Sequence, residues 1–316
     1  MSRDFASQSD LQDKEVTFTA LGGGGYAYTA QGDPNTGVVM GDGAVMVIDT
    51  QATPLMAQDV IARIRTVTEA PIRCVVLTHY HAVRVLGAAA YGAEHVIASQ
   101  DTRDLIAERG AQDYASEVSR FPRLFRAVES IPGLTWPNVT FRGEMRVWLG
   151  RTEARLMQLG RGHTRGDAIV WLPESEVLFS GDLVESGATP YAGDAYLAEW
   201  PQTLARLAAL KPRALVPGRG DALVGHDRCR LAIEQTREFV SELSASVRAG
   251  RVSGRPLKDI YRDTCDRLRP RFGAFAIFDH CMPFDVSRAW DEAGGVAEPR
   301  IWTAERDRQM WEALEG

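Results

Sequence analysis

The chain has 316 residues, 45% of them hydrophobic, and a formal net charge of -6. That length can bury a large core, as one domain of about 220 residues with an extension. The acid excess leaves no electrostatic footprint for nucleic acid or an anionic membrane, and no apolar run approaches a membrane-spanning helix.

Met1 to Glu15 is a polar tail without the apolar core of a signal peptide. Four cysteines, Cys74, Cys229, Cys265 and Cys281, have no short paired spacing, which suits a reducing cytoplasm. Gly22-Gly23-Gly24-Gly25 invites a phosphate-loop reading. It lacks the Gly-Lys-Ser/Thr ending and leads into the strand-like Tyr26-Ala27-Tyr28, so a hairpin bend is expected. Val45 to Thr50 reads as a strand ending in Ile48-Asp49-Thr50. Leu55 to Glu69 follows as an amphipathic helix with Met56, Val60, Ile61, Ile64 and Val67 on its apolar face.

The apolar run Cys74-Val75-Val76-Leu77 reads as a buried strand and leads into Thr78-His79-Tyr80-His81. On an extended backbone, residues i and i+2 point the same way, so His79 and His81 form half a metal site. Residues 101 to 130 are charged and helical in character, turning at Pro132-Gly133. Two strand-like runs, Arg155 to Leu159 and Ala168 to Leu172, flank the loop Gly160-Arg161-Gly162-His163-Thr164-Arg165-Gly166-Asp167. That loop can bring His163 to the first pair. Val177 to Val184 is an apolar run that carries Asp182 near its end, and Leu215-Val216-Pro217-Gly218-Arg219-Gly220 runs from a strand into a glycine turn. Four strand ends, each followed by polar loop residues, fit a layered α/β protein with its site along one edge.

Three helices are expected at Trp200 to Leu210, Leu231 to Ala249 and Pro256 to Leu268. Phe272 to Phe284 is dense in aromatics and is read as core or subunit packing, ahead of a substrate wall that closes over the site. His280 and Cys281 are read as strand neighbours facing opposite ways, which argues against a joint chemical role. The tail from Pro299, with Trp302, Met310, Trp311 and Leu314, is expected to dock as a helix. His95 and His226 follow no site motif, and Tyr80 and Tyr191 are candidates for the site mouth.

The order and context of these motifs resemble the metallo-β-lactamase superfamily. Its signature runs Thr-His-x-His-x-Asp-His-x-x-Gly, then Gly-His-Thr-x-Gly-Asp, then Gly-Asp-Leu, then Pro-Gly-His-Gly. The matching segments here are Thr78 to Gly87, Gly162 to Asp167, Gly181-Asp182-Leu183 and Pro217 to Gly220, with Asn35 to Thr50 as the N-terminal pattern. The resemblance implies an αββα sandwich over residues 16–245, after a tail at 1–15 and before a mostly helical extension at 246–316. It also implies metal ligation by His79, His81 and His163, with Asp182 in the place of a carboxylate that bridges two metals or serves one. Asp49 would orient a ligand from behind.

Three departures change the expected chemistry. The family's second metal is held by the Asp and second His of the first motif and by the His of the last. Val83, Arg84 and Arg219 stand in those places. A guanidinium stays protonated and has no lone pair to offer, so the arginines exclude a second cation by charge as well as by lost ligands. One divalent metal per chain is therefore expected, zinc first and iron as the alternative. Arg84 and Arg219 would form an anion pocket beside it, with Asp182 paired to one of them. Zinc would lower the pKa of bound water towards ~7 for hydrolysis of a small anionic ester, thioester, amide or phosphate-type substrate. Asp182, Arg84 and Arg219 would be the catalytic side chains. Two alternatives stand beside the hydrolase. One is a non-haem iron dioxygenase resembling persulfide dioxygenases, through His79, His163 and Asp182. The other is a non-catalytic metal- and anion-binding protein. Neither nucleic acid nor membrane is an expected partner; the extension would suit a homodimer contact.

Overall fold

Strands buried on both faces dictate layers on both sides of each sheet. The computed structural model describes residues 5–316. The first sheet runs β1 (Val16–Gly22), β2 (Gly25–Ala30), β3 (Thr36–Gly41), β4 (Ala44–Ile48), β5 (Ile72–Leu77), β6 (His95–Ser99) and β7 (Val139–Phe141), bonded in that order. It is antiparallel through β4 and parallel beyond. The second sheet comprises β8 (Glu144–Leu149), β9 (Thr152–Met157), β10 (Ile169–Leu172), β11 (Val177–Phe179), β12 (Ala214–Val216) and β13 (Leu223–Val224). It is antiparallel except where β11 meets β12.

Period-two alternation sorts the strand side chains. Met46, Ile48, Val76, Val170, Phe179 and Val216 fill the space between the sheets. Val45, Val47, Val75 and Leu77 turn outward under α1 (Pro54–Arg65), α2 (Ala82–Val85) and α3 (Gln100–Arg120). Ile169, Trp171, Leu178 and Leu215 turn the other way under α4 (Trp200–Ala208), α5 (His226–Val252), α6 (Leu257–Phe272) and α7 (Phe278–Ala293). The result is the expected αββα sandwich. A final helix, α8 (Ala304–Glu315), brings Trp311 beside Phe5, Phe284 and Trp302.

Local chemistry sets several boundaries. Thr53 caps α1 by accepting from the Met56 amide at 3.2 Å, with Pro54 at the first helical position. Ser99 caps α3 through the Thr102 amide at 3.0 Å. The helical character expected to 130 stops at Arg120; Pro122 disfavours helical geometry at Phe121, which leaves the helix with φ -128° and ψ 63°. Four glycines at 22–25 make the β1–β2 turn. Position 245 falls inside α5, and α6 and α7 share the apolar cluster of α5 and the second sheet. Residues 1–4 of the N-terminal tail lie outside the described residues. Among the described residues, no helix is long and apolar enough to cross a membrane.

The stretch 272–284 corrects one expectation. His280 and Cys281 lie in the first turn of α7, not on a strand, and both are buried. Pro283 inside that helix and the aromatic density around it disguise the helical period.

Phe179 sits at 1% exposure between the sheets, its ring against Gly37, where an added Cβ would meet Cδ1 at 2.3 Å. Phe179→Ala should therefore lower the unfolding free energy by about 3–5 kcal/mol. The measurement is a chemical-denaturation midpoint that falls with an unchanged slope.

Candidate metal centre

Each ligand candidate is held by the end of a strand. β5 delivers His79 and His81, the loop before β10 delivers His163, β11 delivers Asp182, and β12 delivers Arg219. The three imidazoles are buried, and one nitrogen from each lies within 4.8 Å of the others. Their rings stand nearly perpendicular, with centroids 4.6 to 4.9 Å apart. His163 Nε2 and His81 Nδ1 are 2.9 Å apart. The Nε2 atoms of His79 and His163 lie 3.7 and 3.8 Å from Asp182 Oδ2.

The outer nitrogens decide which lone pairs face inward. Thr78 Oγ1 donates to Asp49 Oδ2 at 2.8 Å, so at 2.9 Å from His79 Nδ1 it accepts that proton. His163 Nδ1 donates to the Tyr191 carbonyl at 2.8 Å, and His81 Nε2 donates to Asp194 Oδ2 at 3.2 Å. His79 and His163 then present a lone pair to the common centre, where His79 Nε2 is buried without a hydrogen-bond partner, and His81 Nδ1 would add a third on giving up the proton that it shares with His163 Nε2. That donor set fits a divalent cation, with the outer-nitrogen partners that metal-bound histidines usually have.

Electrostatics agree. Burial and then the neighbouring His81 press the His163 pKa down to about 3. Burial, with smaller contributions from the other two imidazoles and Arg84, takes His79 well below its ordinary value despite Asp182. His81 goes the other way, to about 9: burial lowers it, and Asp113, Asp194 and Glu117 outweigh burial. Negative charge is thus stored behind one ligand, ready to balance a bound cation.

Arg84 is 0% exposed and forms an ion pair with Asp182. Its Nη1 donates to the Asn35 carbonyl at 3.1 Å and its Nη2 to the Gly218 carbonyl at 2.8 Å. Burial acts to raise the Asp182 pKa, but Arg84, with His79, His163 and Arg219, holds it well below the usual carboxylate range. Gly218 has to lack a side chain, since a Cβ there would meet Asp182 Oδ1 at 2.2 Å. Arg219 is 6% exposed; its Nη1 donates to the Gly32 carbonyl at 3.1 Å, and no carboxylate lies within 4.0 Å of its guanidinium among the described residues. Both arginines are therefore buried beside the histidines. Arg84 is consumed by its partners, which leaves Arg219 as the only one of the two on the cavity wall.

Several residues beside the histidines carry no motif. Asp194 also takes Arg109 Nη1 at 3.3 Å. Asp113 and Glu117 accept the amides of Ala82 and Val83 at 2.7 and 2.9 Å, which orients the segment after His81. Arg120 and His280 line the cavity with Tyr191. Tyr80 is 2% exposed and belongs to the outer cluster of the first sheet, with its ring 4.5 Å from that of His81 and its hydroxyl bonded to Asp194, so it backs the histidines from the interior. The 4-and-3 spacing of Asp113, Glu117 and Arg120 was a readable signal, since such a stripe shares one helix face. Asp194 had none. His95 and His226 are on the surface, with side chains 46% and 60% exposed.

Residues 30–219 match the family model of the metallo-beta-lactamase superfamily. The metallo-beta-lactamase type 2 of Bacteroides fragilis is 26% identical over 241 residues, covering 72% of this chain and 86% of that one. A solved metallo-beta-lactamase from Pontibacter korlensis superposes with a TM-score of 0.57 at 21% identity, over 72% of this chain and 99% of its own. The stereoselective inverting sec-alkylsulfatase Pisa1 from Pseudomonas sp. superposes at 0.71 with 16% identity, over 88% of this chain, which spans about 50% of that enzyme. The family model takes in more than half of the residues, with the three histidines and Asp182 inside it, and the chain belongs to the metallo-β-lactamase superfamily.

Proposed function

We propose that this chain is a metal-dependent hydrolase with one divalent ion per protein, zinc by preference, acting on a small anionic ester. The observation that carries this reading is the convergence of three buried imidazole nitrogens within 4.8 Å of one another beside an arginine–carboxylate ion pair. His79, His81 and His163 would hold the ion. When bound, zinc supplies Lewis acidity and a nucleophile drawn from water near neutral pH. Asp182, kept ionised by Arg84, would accept a hydrogen bond from a water at the site and orient it. Asp194, the Tyr191 carbonyl and Thr78 keep the rings aimed. Arg219 stabilises negative charge that develops on the substrate.

Sulfate- or phosphate-type esters lead the candidates. The alkylsulfatase match takes in parts of this chain that the lactamase match leaves out, and an oxyanion suits a pocket with arginine on its wall. A reducing cytoplasm suits the four free, buried cysteines.

Metal analysis of protein purified without added metal should find one zinc per chain. Val83→Asp, Arg84→His and Arg219→His together should admit a second. Two tightly bound ions in the unaltered chain would defeat the reading. Iron in place of zinc would favour redox chemistry through His79, His163 and Asp182, and no metal at all would mean a decayed site. Asp194→Asn removes the charge behind His81 and should weaken metal affinity by about 10- to 100-fold, as read by competition with a chromogenic chelator. Penicillins and carbapenems should be turned over near background by the zinc-loaded protein, because the second metal commonly helps hold the β-lactam carboxylate; efficient turnover in a spectrophotometric assay would show otherwise.

A further inference from the structure

Two cavities meet beside the metal centre. The inner one, about 20 Å³, is walled by His163 and Asp182 on the metal side, Glu117 and Arg120 from α3, His280 from α7, and Arg219. It has room for a water-sized occupant. The outer one, about 320 Å³, opens towards Asp10, Lys14 and Arg123. Phe121, Arg219, Ile277 and His280 belong to both walls and so form the neck between them.

We propose that Arg120, Arg219 and His280 form an anion subsite at this neck, for the oxyanion group of a substrate that enters through the outer cavity. This assignment replaces the Arg84–Arg219 pair that the sequence suggests. Naming the ligand a substrate rests on the hydrolase reading; the anion site itself needs no metal.

Unmet donors are the evidence. Arg120 is 2% exposed, yet its nearest carboxylate oxygen, Asp307 Oδ2, is 3.6 Å from Nε and already accepts from Ser116 Oγ. Arg120 Nε has no hydrogen-bond partner. Its guanidinium lies over the Phe284 ring, 4.5 Å from the centroid, which fixes it in place without neutralising it. Arg120 Nη1 donates to His280 Nε2 at 3.3 Å, so the proton of the neutral imidazole sits on Nδ1. That Nδ1 is buried and also unpartnered. Burial, then Arg120 and Arg219, hold His280 well below its ordinary pKa, so it remains a neutral donor. Orphaned buried donors are rare in folded proteins, and both residues that carry them, Arg120 and His280, line the inner cavity.

The charges agree. Asp182 is answered by Arg84, and Glu117 already takes the Val83 amide. Glu117 and Asp307 face Arg120, and Glu185 takes only the Arg219 amide, which leaves the Arg219 guanidinium as the cation on the wall without a carboxylate within 4.0 Å among the described residues. An oxyanion at the neck would meet Arg219 and His280 from the outer side and Arg120 from within. Its reacting bond would then point towards the histidine cluster.

Isothermal titration of sodium sulfate and of sodium phosphate into the metal-loaded and the chelated protein tests this. Both forms should bind the anions, and Arg120→Gln and Arg219→Gln should each weaken binding by about tenfold or more while keeping one metal per chain. Should Arg120→Gln fail to fold, Arg219→Gln and His280→Leu carry the same comparison. Unchanged affinity in the folded variants overturns the subsite. So does binding that vanishes on chelation yet ignores the substitutions, since the anion would then sit on the metal. Sulfate binding of the expected pattern in a protein without hydrolytic activity upholds the subsite and defeats the hydrolase reading instead.

Discussion

A guanidinium with no exposure to water must find its acceptors inside the protein, and Arg84 finds them at three chain segments. Asp182 follows β11, the Gly218 carbonyl follows β12, and the Asn35 carbonyl precedes β3. One side chain thus joins the loops of both sheets at the edge where the site lies. Removing one member of such a buried pair leaves an uncompensated charge and typically costs about 3–5 kcal/mol. The Arg84 carbonyl, accepting from the Thr50 amide at 2.7 Å, ties in β4 as well. The geometry of Asp182, and through it the distances to His79 and His163, follows from this pairing.

An arginine at position 84 does more than withhold a metal ligand. It substitutes an internal cation that cannot leave, exchange or be chelated, and that keeps a carboxylate ionised beside the histidines. A metal held by the histidines would work next to a fixed positive group. The proposed anion subsite draws on side chains from α3 and α7 together with Arg219. Those helices also close the site from above, so the extension and the catalytic edge form one structural unit.

Much of this was readable in the residues. The β5 strand announces itself through an unbroken apolar run, and His79 and His81 sit where the chain leaves it, so their convergence follows from strand geometry. Arg84 and Arg219 were legible as substitutions in a known pattern, and their chemistry excluded a cation without any coordinates. What the pattern could not give was the difference between the two. Burial against Asn35 and Gly218 consumes one and leaves the other on the wall, and only packing decides that. α7 was misread because Pro283 and clustered aromatics mimic a strand-like stretch. Asp194 was invisible because a single acid in a long loop has no period and no spacing.

Main-chain recognition behind His81 has a consequence for how such a site can change over time. Asp113 and Glu117 grip the amides of Ala82 and Val83, and amides are common to every residue but proline. The side chains at 82 and 83 are thereby released from holding the turn in shape. A position that once had to be an acid for the metal can drift to valine without loosening the backbone that aims the neighbouring imidazole. The scaffold separates where His81 points from what its neighbours are, so the side chains after it can change while its aim is kept.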